Sequence, residues 1–209
     1  MQIRPLLIEG AFEFTPISHE DQRGAYLEIY RADLLAEAVG HPMRLEQWNM
    51  AVTRAGGVRG IHFATTPKGQ AKYVTCPAGS GLDVIVDVRV GSPTFGMFDT
   101  VVIDDVDRRA VYLAEGLGHA FVAHTDNTVL SYACSALWNP GGEHAVSPLD
   151  PALGIPWPET ELRLSAKDTA APTLKEAAAL GLLPDYEDCR RLYARLDEQA
   201  SVEPIGAVR

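Results

Sequence analysis

Short segments rich in β-branched and aromatic residues, separated by turn-forming clusters, occupy most of the first three-quarters of this chain. Val, Ile, Thr and Tyr favour strands because they pack well on a pleated sheet. The predicted strands are residues 71–76, 82–90, 100–103, 110–113, 120–124 and 128–134. Glycine, proline and aspartate clusters at 77–81 and 104–107 predict the turns between them. Short strands at this spacing are typical of a β-sandwich or barrel.

The pattern changes near the C-terminus, where helices are predicted. Thr173 is placed to cap a helix through residue 180, with Glu176 at the capping-box distance and Gly181 beyond its end. A second amphipathic helix is predicted over about 186–200, and an earlier one over 31–39 ends at Gly40. The 209 residues therefore predict a single, mainly β domain over 1–209. It combines a jelly-roll core over about 10–165 with a helical C-terminal extension over about 170–200.

Composition narrows the functional classes. The net charge of −10 argues against nonspecific nucleic-acid binding, and no apolar stretch approaches the ~20 residues of a membrane span. The N-terminus lacks a basic segment followed by an apolar run, so no signal peptide is expected. The three cysteines are far apart and show no zinc-site spacing, which favours reduced thiols and a cytoplasmic location.

Three polar residues in the β-rich part of the chain are candidates for chemistry. His62 has a side-chain type whose pKa suits a general base, although a histidine in a β-rich chain is more often structural or exposed. Strand alternation places Lys72 on one face with Val74 and Cys76, which suggests a barrel interior; a snorkelling edge lysine is the alternative. Tyr132, taken alone, is compatible with a core residue.

An ordered set of sequence strings covers most of residues 1–188. The strings are Arg59-Gly60-Ile61-His62-Phe63, Gln70-Ala71-Lys72-Tyr73-Val74, Asp83-Val84-Ile85-Val86-Asp87-Val88-Arg89, Gly91-Ser92-Pro93-Thr94-Phe95-Gly96, Gly118-His119-Ala120-Phe121, Leu164-Ser165-Ala166-Lys167-Asp168 and Gly181-Leu182-Leu183-Pro184. In this order and spacing the chain resembles the dTDP-4-dehydrorhamnose 3,5-epimerase family. The resemblance implies a cupin-type jelly roll that forms a homodimer.

The resemblance also implies a catalytic role for four residues. His62 becomes a base that removes a carbon-bound proton, and Asp168 orients its ring. Lys72 stabilises the enolate oxygen, and Tyr132 returns a proton from the opposite face of the sugar.

Further positions match substrate-binding residues of the family. These are Arg23, Tyr26, Glu28, Gln47, Asn49, Arg59, His119, Trp138, Glu143 and Lys167. Arg23 and Arg59 suit a diphosphate because guanidinium groups form bidentate, charge-assisted hydrogen bonds. Trp138 is expected to stack on thymine; Tyr26 and Trp138 stand where many members have Phe and Tyr, which keeps an aromatic ring.

No metal or cofactor is expected. The first cupin motif usually has two histidines separated by one residue, whereas His62 is followed by Phe63 and Ala64. His62, His119, His124 and His144 could still meet in three dimensions. The family is also described as metal-independent.

The predicted function is epimerisation of dTDP-4-keto-6-deoxy-D-glucose at C3, C5 or both, next to the C4 ketone, in deoxysugar biosynthesis. Inversion at both carbons is the default. The alternatives are a mono-epimerase of a secondary-metabolite pathway, a dTDP-sugar 3,4-ketoisomerase and a non-catalytic nucleotide-sugar-binding cupin.

Overall fold

Antiparallel β-structure dominates the computed structural model, which describes residues 1–202; residues 203–209 of the predicted domain lie outside the described residues. The strands are β1 (Gln2–Pro5), β2 (Ala11–Thr15), β3 (Ser18–Asp21), β4 (Gly24–Leu27), β5 (Gln47–Thr53), β6 (Val58–Ala64), β7 (Lys72–Ala78), β8 (Ser80–Val86), β9 (Phe98–Asp104), β10 (Ala110–Leu113), β11 (Gly118–Ala123), β12 (Thr128–Cys134) and β13 (Glu143–Ala145). The helices are α1 (Ala32–Val39), α2 (Ala166–Thr169), α3 (Leu174–Ala179) and α4 (Tyr186–Val202).

Two larger sheets face each other across a shared core. One has six strands in the order β1-β2-β10-β7-β12-β5, and the other has five in the order β13-β6-β11-β8-β9. Side chains from both sheets, such as Val74 and Phe121, belong to one buried cluster. β3 and β4 form a separate, exposed hairpin. The prediction of a mainly β, jelly-roll fold is confirmed.

The predicted strand limits hold in some places and fail in others. The predictions 110–113 and 128–134 coincide with β10 and β12. The turn predicted over 77–81 is present but shorter: Gly79 alone joins β7 to β8, with the positive φ of 82° that glycine adopts readily. The strand predicted to residue 90 ends at Val86. Beyond it, Asp87 and Arg89 form a fully buried ion pair at 2.8 Å.

The predicted C-terminal helices are confirmed, and they pack on the β domain. The capping box is present, since Thr173 Oγ1 accepts from the Glu176 amide and the Glu176 carboxylate accepts from the Thr173 amide. α4 reaches the core through Tyr193, whose hydroxyl donates to the Glu115 carbonyl. None of the described helices is both long and apolar enough to cross a bilayer.

Candidate active site

A polar cavity of about 650 Å³ opens between the two large sheets. β5, β7 and β12 supply one wall, β6 and β11 the other, and the segment that leads into α2 closes one side. The lining residues are Gln47, Asn49, Ala51, Thr53, Gly57, Val58, Arg59, His62, Gln70, Lys72, His119, Phe121, Leu130, Tyr132, Trp138, Glu143, Arg163, Leu164, Ser165, Lys167 and Asp168. The structure therefore brings together all four predicted catalytic residues and seven of the predicted binding residues.

His62 and Asp168 form a hydrogen-bonded pair in this cavity. The Nε2 atom of His62 lies 2.7 Å from Oδ1 of Asp168, a residue that is 3% exposed. Ser165 caps α2 and donates its hydroxyl to the other carboxylate oxygen of Asp168 at 2.8 Å. With Nε2–H donating to the carboxylate, Nδ1 of His62 is the nitrogen left to accept a proton.

Burial and the carboxylate act on the His62 pKa in opposite directions. Desolvation disfavours the imidazolium and lowers the pKa below its ordinary value of 6.5, while the hydrogen bond and charge of Asp168 raise it. Burial dominates, so the pKa lies on the low side. His62 is then a neutral, proton-accepting imidazole at neutral pH.

An irregularity in strand pairing puts Arg59 and His62 in the same cavity. His119 of β11 pairs with His62 of β6, whereas Phe121 pairs with Arg59. Three residue steps along β6 therefore lie opposite two along β11. Regular alternation would send side chains three positions apart to opposite faces of a sheet. The extra residue restores them to one face.

A second histidine–carboxylate pair stands beside the first. His119 Nε2 lies 2.7 Å from Oδ1 of Asp83, which is fully buried on β8, and the second oxygen of Asp83 has no hydrogen-bond partner among the described residues. Asp83 is not among the predicted site residues. Its signal in the sequence is a carboxylate within a Val- and Ile-rich strand, where a buried charge requires a partner.

Lys72 begins β7 and is 9% exposed. Its neighbour on β12 is Cys134, directly opposite in the register. Burial lowers the pKa of the Lys72 ammonium because water no longer solvates the charge, while the electrostatic influence of Cys134, Glu143 and Asp83 raises it. The described residues offer this ammonium no ion pair within 4 Å, so it is available to an anionic atom in the cavity.

Tyr132 projects from β12 opposite Asn49 of β5. Burial is the largest cause of its raised pKa, so the phenol keeps its proton at neutral pH. Tyr132 lies on the six-stranded sheet and His62 on the five-stranded one, so the two groups approach the cavity from opposite walls. Such a placement suits proton removal and proton return on different faces of one molecule.

The rim holds the remaining predicted contacts. The backbone amide of Trp138 donates to the side-chain oxygen of Gln47 at 2.8 Å, and its indole N–H donates to Glu143. Arg59 donates to Thr53 Oγ1 at 3.0 Å and to the Val52 carbonyl at 3.3 Å.

Three predicted binding residues do not line the cavity. Arg23, Tyr26 and Glu28 lie on or next to the exposed β3–β4 hairpin. Arg23 pairs with Asp21 on the same hairpin, and Glu28 pairs with Arg31 at 3.4 Å.

The four histidines raised as possible metal ligands do not converge. Within residues 1–202, no group of three or more His, Cys, Asp or Glu side chains is arranged to hold a metal ion. His144 instead contacts Thr65 Oγ1 at 3.1 Å, and His124 contacts Ser80 Oγ at 3.4 Å.

The fold and the cavity define a class: cupin-like enzymes that carry out acid–base chemistry between the sheets of a jelly roll. The chain belongs to the dTDP-4-dehydrorhamnose 3,5-epimerase family, whose model matches residues 5–176. It is thus an epimerase-type isomerase.

Individual relatives include both double and single epimerases. The chain is 52% identical to a dTDP-4-dehydrorhamnose 3-epimerase of Streptomyces niveus, over 99% of this chain and 100% of that one. It is 49% identical to a dTDP-4-dehydrorhamnose 3,5-epimerase of Mycolicibacterium smegmatis, over 91% and 94% respectively. Among solved structures, ChmJ, a 3'-monoepimerase from Streptomyces bikiniensis in complex with dTDP-quinovose, matches with a TM-score of 0.91 and 47% identity, over 93% of this chain and 98% of that one.

Proposed function

We propose that this chain, as a single epimerase domain, inverts dTDP-4-keto-6-deoxy-D-glucose at carbons next to its C4 ketone. The observation that carries the proposal is the His62–Asp168 pair, which shares one cavity with Lys72 and Tyr132. Inversion at both C3 and C5 is the principal assignment. Inversion at C3 alone, as the names of the relatives from S. niveus and S. bikiniensis indicate for those enzymes, is the alternative.

The proposed chemistry is deprotonation followed by reprotonation. The Nδ1 atom of His62 accepts the proton from C3 or C5, and the electron pair of the broken C–H bond moves into an enolate with its charge on O4. The ammonium of Lys72 stabilises that oxygen in a site shielded from water. Tyr132 then donates its phenolic proton to the same carbon from the opposite face, which inverts the centre.

The chain's own residues supply everything this reaction requires. The ketone makes the neighbouring C–H bonds acidic, so the step needs no redox or group-carrying cofactor. The proposal is metal-independent, and it is supported by the arrangement of donors, since within residues 1–202 no three His, Cys, Asp or Glu side chains are placed to share a metal ion. Arg59 and Lys167 hold the diphosphate, Trp138 stacks on thymine, and His119, fixed by Asp83, contacts the sugar.

A homodimer is the proposed assembly. β5 is an edge strand of its sheet, and its outward side chains Trp48, Met50 and Val52 are 61%, 68% and 61% exposed. A long apolar edge strand left open to water invites pairing with another chain. A second copy also explains why Arg23 and Tyr26 lie outside the cavity of their own chain, since a hairpin can serve the cavity of a partner.

Sedimentation equilibrium tests the dimer. Wild-type protein should sediment at twice the chain mass, and Met50→Lys should shift the equilibrium to monomer because it places a charge in the apolar contact. Val102→Lys, on the exposed face of β9 in the other sheet, is the matched control and should remain dimeric. A monomeric wild type would contradict the proposed assembly.

The pH profile should report the His62–Asp168 pair. The base works when deprotonated, so kcat/KM should fall on the acidic side with a midpoint below pH 6.5, because the pKa of His62 is lowered by burial. Asp168→Asn should move this acidic limb still lower, because the carboxylate that raises the pKa is gone. It should also reduce the plateau by about 10²-fold. Asp107→Asn, which changes an exposed carboxylate, should leave the profile unchanged; an acidic limb above pH 6.5 would contradict the account.

Tyr132→Phe should separate proton removal from inversion. His62 and Lys72 remain, so hydrogen at the reactive carbon should still exchange with solvent. Inverted product should form about 10²-fold more slowly, since no acid remains on the opposite wall. Proton NMR in D₂O measures both rates in one sample. If exchange and inversion fell in equal proportion, Tyr132 would have a role in proton removal instead.

Proton NMR of dTDP-4-keto-6-deoxy-D-glucose incubated with the protein in D₂O tests the function itself. Exchange with inversion at both C3 and C5 supports the double epimerase, and change at C3 alone supports the mono-epimerase. A 3-keto product would overturn the proposal in favour of a ketoisomerase. Tight dTDP binding with no exchange at either carbon would favour a non-catalytic binding protein.

A further inference from the structure

Arg163 lies in the cavity wall beside Arg59, a position that the sequence motifs do not single out. Its backbone joins the edge of β6: the Arg163 amide donates to the Gly56 carbonyl at 2.8 Å, and its carbonyl accepts from the Val58 amide at 2.9 Å. These bonds place Arg163 next to Gly57 in a parallel bridge. Neighbours across a bridge project to the same face, as do residues two apart on a strand. The side chains of Arg163 and Arg59 therefore leave the same face.

The two arginines and Lys167 are cationic side chains in the lining of one cavity. This concentration stands out in a chain with a net charge of −10. Arg59 is held by uncharged oxygens of Thr53 and Val52, so its charge is not neutralised by those contacts. A local cationic site in an acidic chain attracts a multiply charged anion.

The present partner of Arg163 is readily replaced. Its Nη2 atom lies 2.9 Å from Oε2 of Glu161, with the two side chains 54% and 79% exposed. Exposed ion pairs of this kind contribute little, because water competes for both charges. A diphosphate offers a guanidinium more charge and several acceptor oxygens, which suits bidentate binding.

We propose that Arg163 binds the diphosphate together with Arg59, and that Glu161 pairs with the Arg163 guanidinium only when no nucleotide is bound. The inference rests on the proposed function, since it assumes a nucleoside diphosphate in this cavity. Glu161 then competes with the ligand, so the two members of one ion pair have opposite effects on affinity.

Binding of dTDP and of thymidine to matched variants tests the inference by isothermal titration calorimetry. Arg163→Gln should weaken dTDP about tenfold, the loss of a charge-assisted contact, and leave thymidine unchanged. Glu161→Gln should tighten dTDP about two- to threefold, the scale of an exposed pair. Arg163→Lys should fall between wild type and Arg163→Gln. Arg190→Gln breaks a similarly exposed pair, with Glu187 on α4 and away from the cavity, and should bind dTDP as wild type does.

Three results would overturn the inference. They are unchanged dTDP affinity in Arg163→Gln, equal weakening of dTDP and thymidine, and weaker dTDP binding in both Arg163→Gln and Glu161→Gln, which would mark the pair as structural. Turnover by the wild type separates this inference from the proposed function. If the wild type is active and Arg163→Gln binds dTDP with unchanged affinity, only the inference about Arg163 fails. If the wild type binds no dTDP, the inference and the proposed function both fail.

Discussion

Replacing His62 with asparagine should reduce both solvent exchange and epimerisation by about 10³-fold, the scale of a positioned general base. Asparagine fills much the same space and can still meet Asp168, but its amide accepts no proton at neutral pH. The effect should fall on kcat, since the groups that hold the nucleotide are unchanged. Initial rates by proton NMR at saturating substrate measure it.

His124→Asn is the matched control for this prediction. His124 lies just beyond β11, is exposed and contacts Ser80 rather than the cavity. It should retain wild-type rates. Residual exchange above about a tenth of the wild-type rate in His62→Asn would show that another group removes the proton.

Replacing Lys72 with methionine should reduce kcat by about 10²–10³-fold, the range found when a group that stabilises a developing oxyanion is removed. The methionine side chain has similar length and no charge, so it fills the same buried position without stabilising the enolate. Burial lowers the pKa of Lys72, which means that keeping this charge in the interior reduces the free energy of unfolding. Thermal stability should therefore be retained or raised while activity is lost.

Lys175→Met provides the comparison on an exposed position of α3. It should change neither rate nor stability. If Lys72→Met lost stability in proportion to activity, Lys72 would be a structural residue and the oxyanion assignment would be wrong.

Local sequence signals predicted several of the regular elements well, although β1 to β6 and β13 were not among the predicted strands. β10 and β12 match their predicted limits because alternation and the flanking polar clusters agree there. The capping box at Thr173 and Glu176 is equally local. The C-terminal limit of β8 was not predictable in the same way. Asp87 and Arg89 lie in a Val-rich run, and their burial as an ion pair depends on tertiary contacts.

The site combined predictable residue types with unpredictable distances. Strand alternation placed Lys72 on an inward face, as the structure has it. The partnership of His62 with Asp168 spans 106 positions, and only the family resemblance suggested it. The pairing irregularity that brings Arg59 onto the face of His62 defeats any argument from regular alternation. Arg163 has no local signature that marks it as a cavity residue, and the carboxylate of Asp83 in a Val- and Ile-rich strand indicates a buried partner without identifying His119.

The hairpin residues show a different limit. Arg23, Tyr26 and Glu28 match family positions, yet they lie outside the cavity of their own chain. The sequence pattern of one chain does not show which surfaces meet in an assembly. The contribution of these hairpin residues therefore depends on the proposed dimer.

The most direct test of proton removal by His62 uses dTDP-4-keto-6-deoxy-D-glucose with deuterium at C3. The substrate is incubated with the protein in ordinary water, and the fate of the deuterium is followed. Removal of this atom by His62 predicts that wild-type protein releases deuterium to solvent together with inversion at C3, and that His62→Asn releases it about 10³-fold more slowly. Inversion with full retention of deuterium, or unchanged release by His62→Asn, would contradict the account.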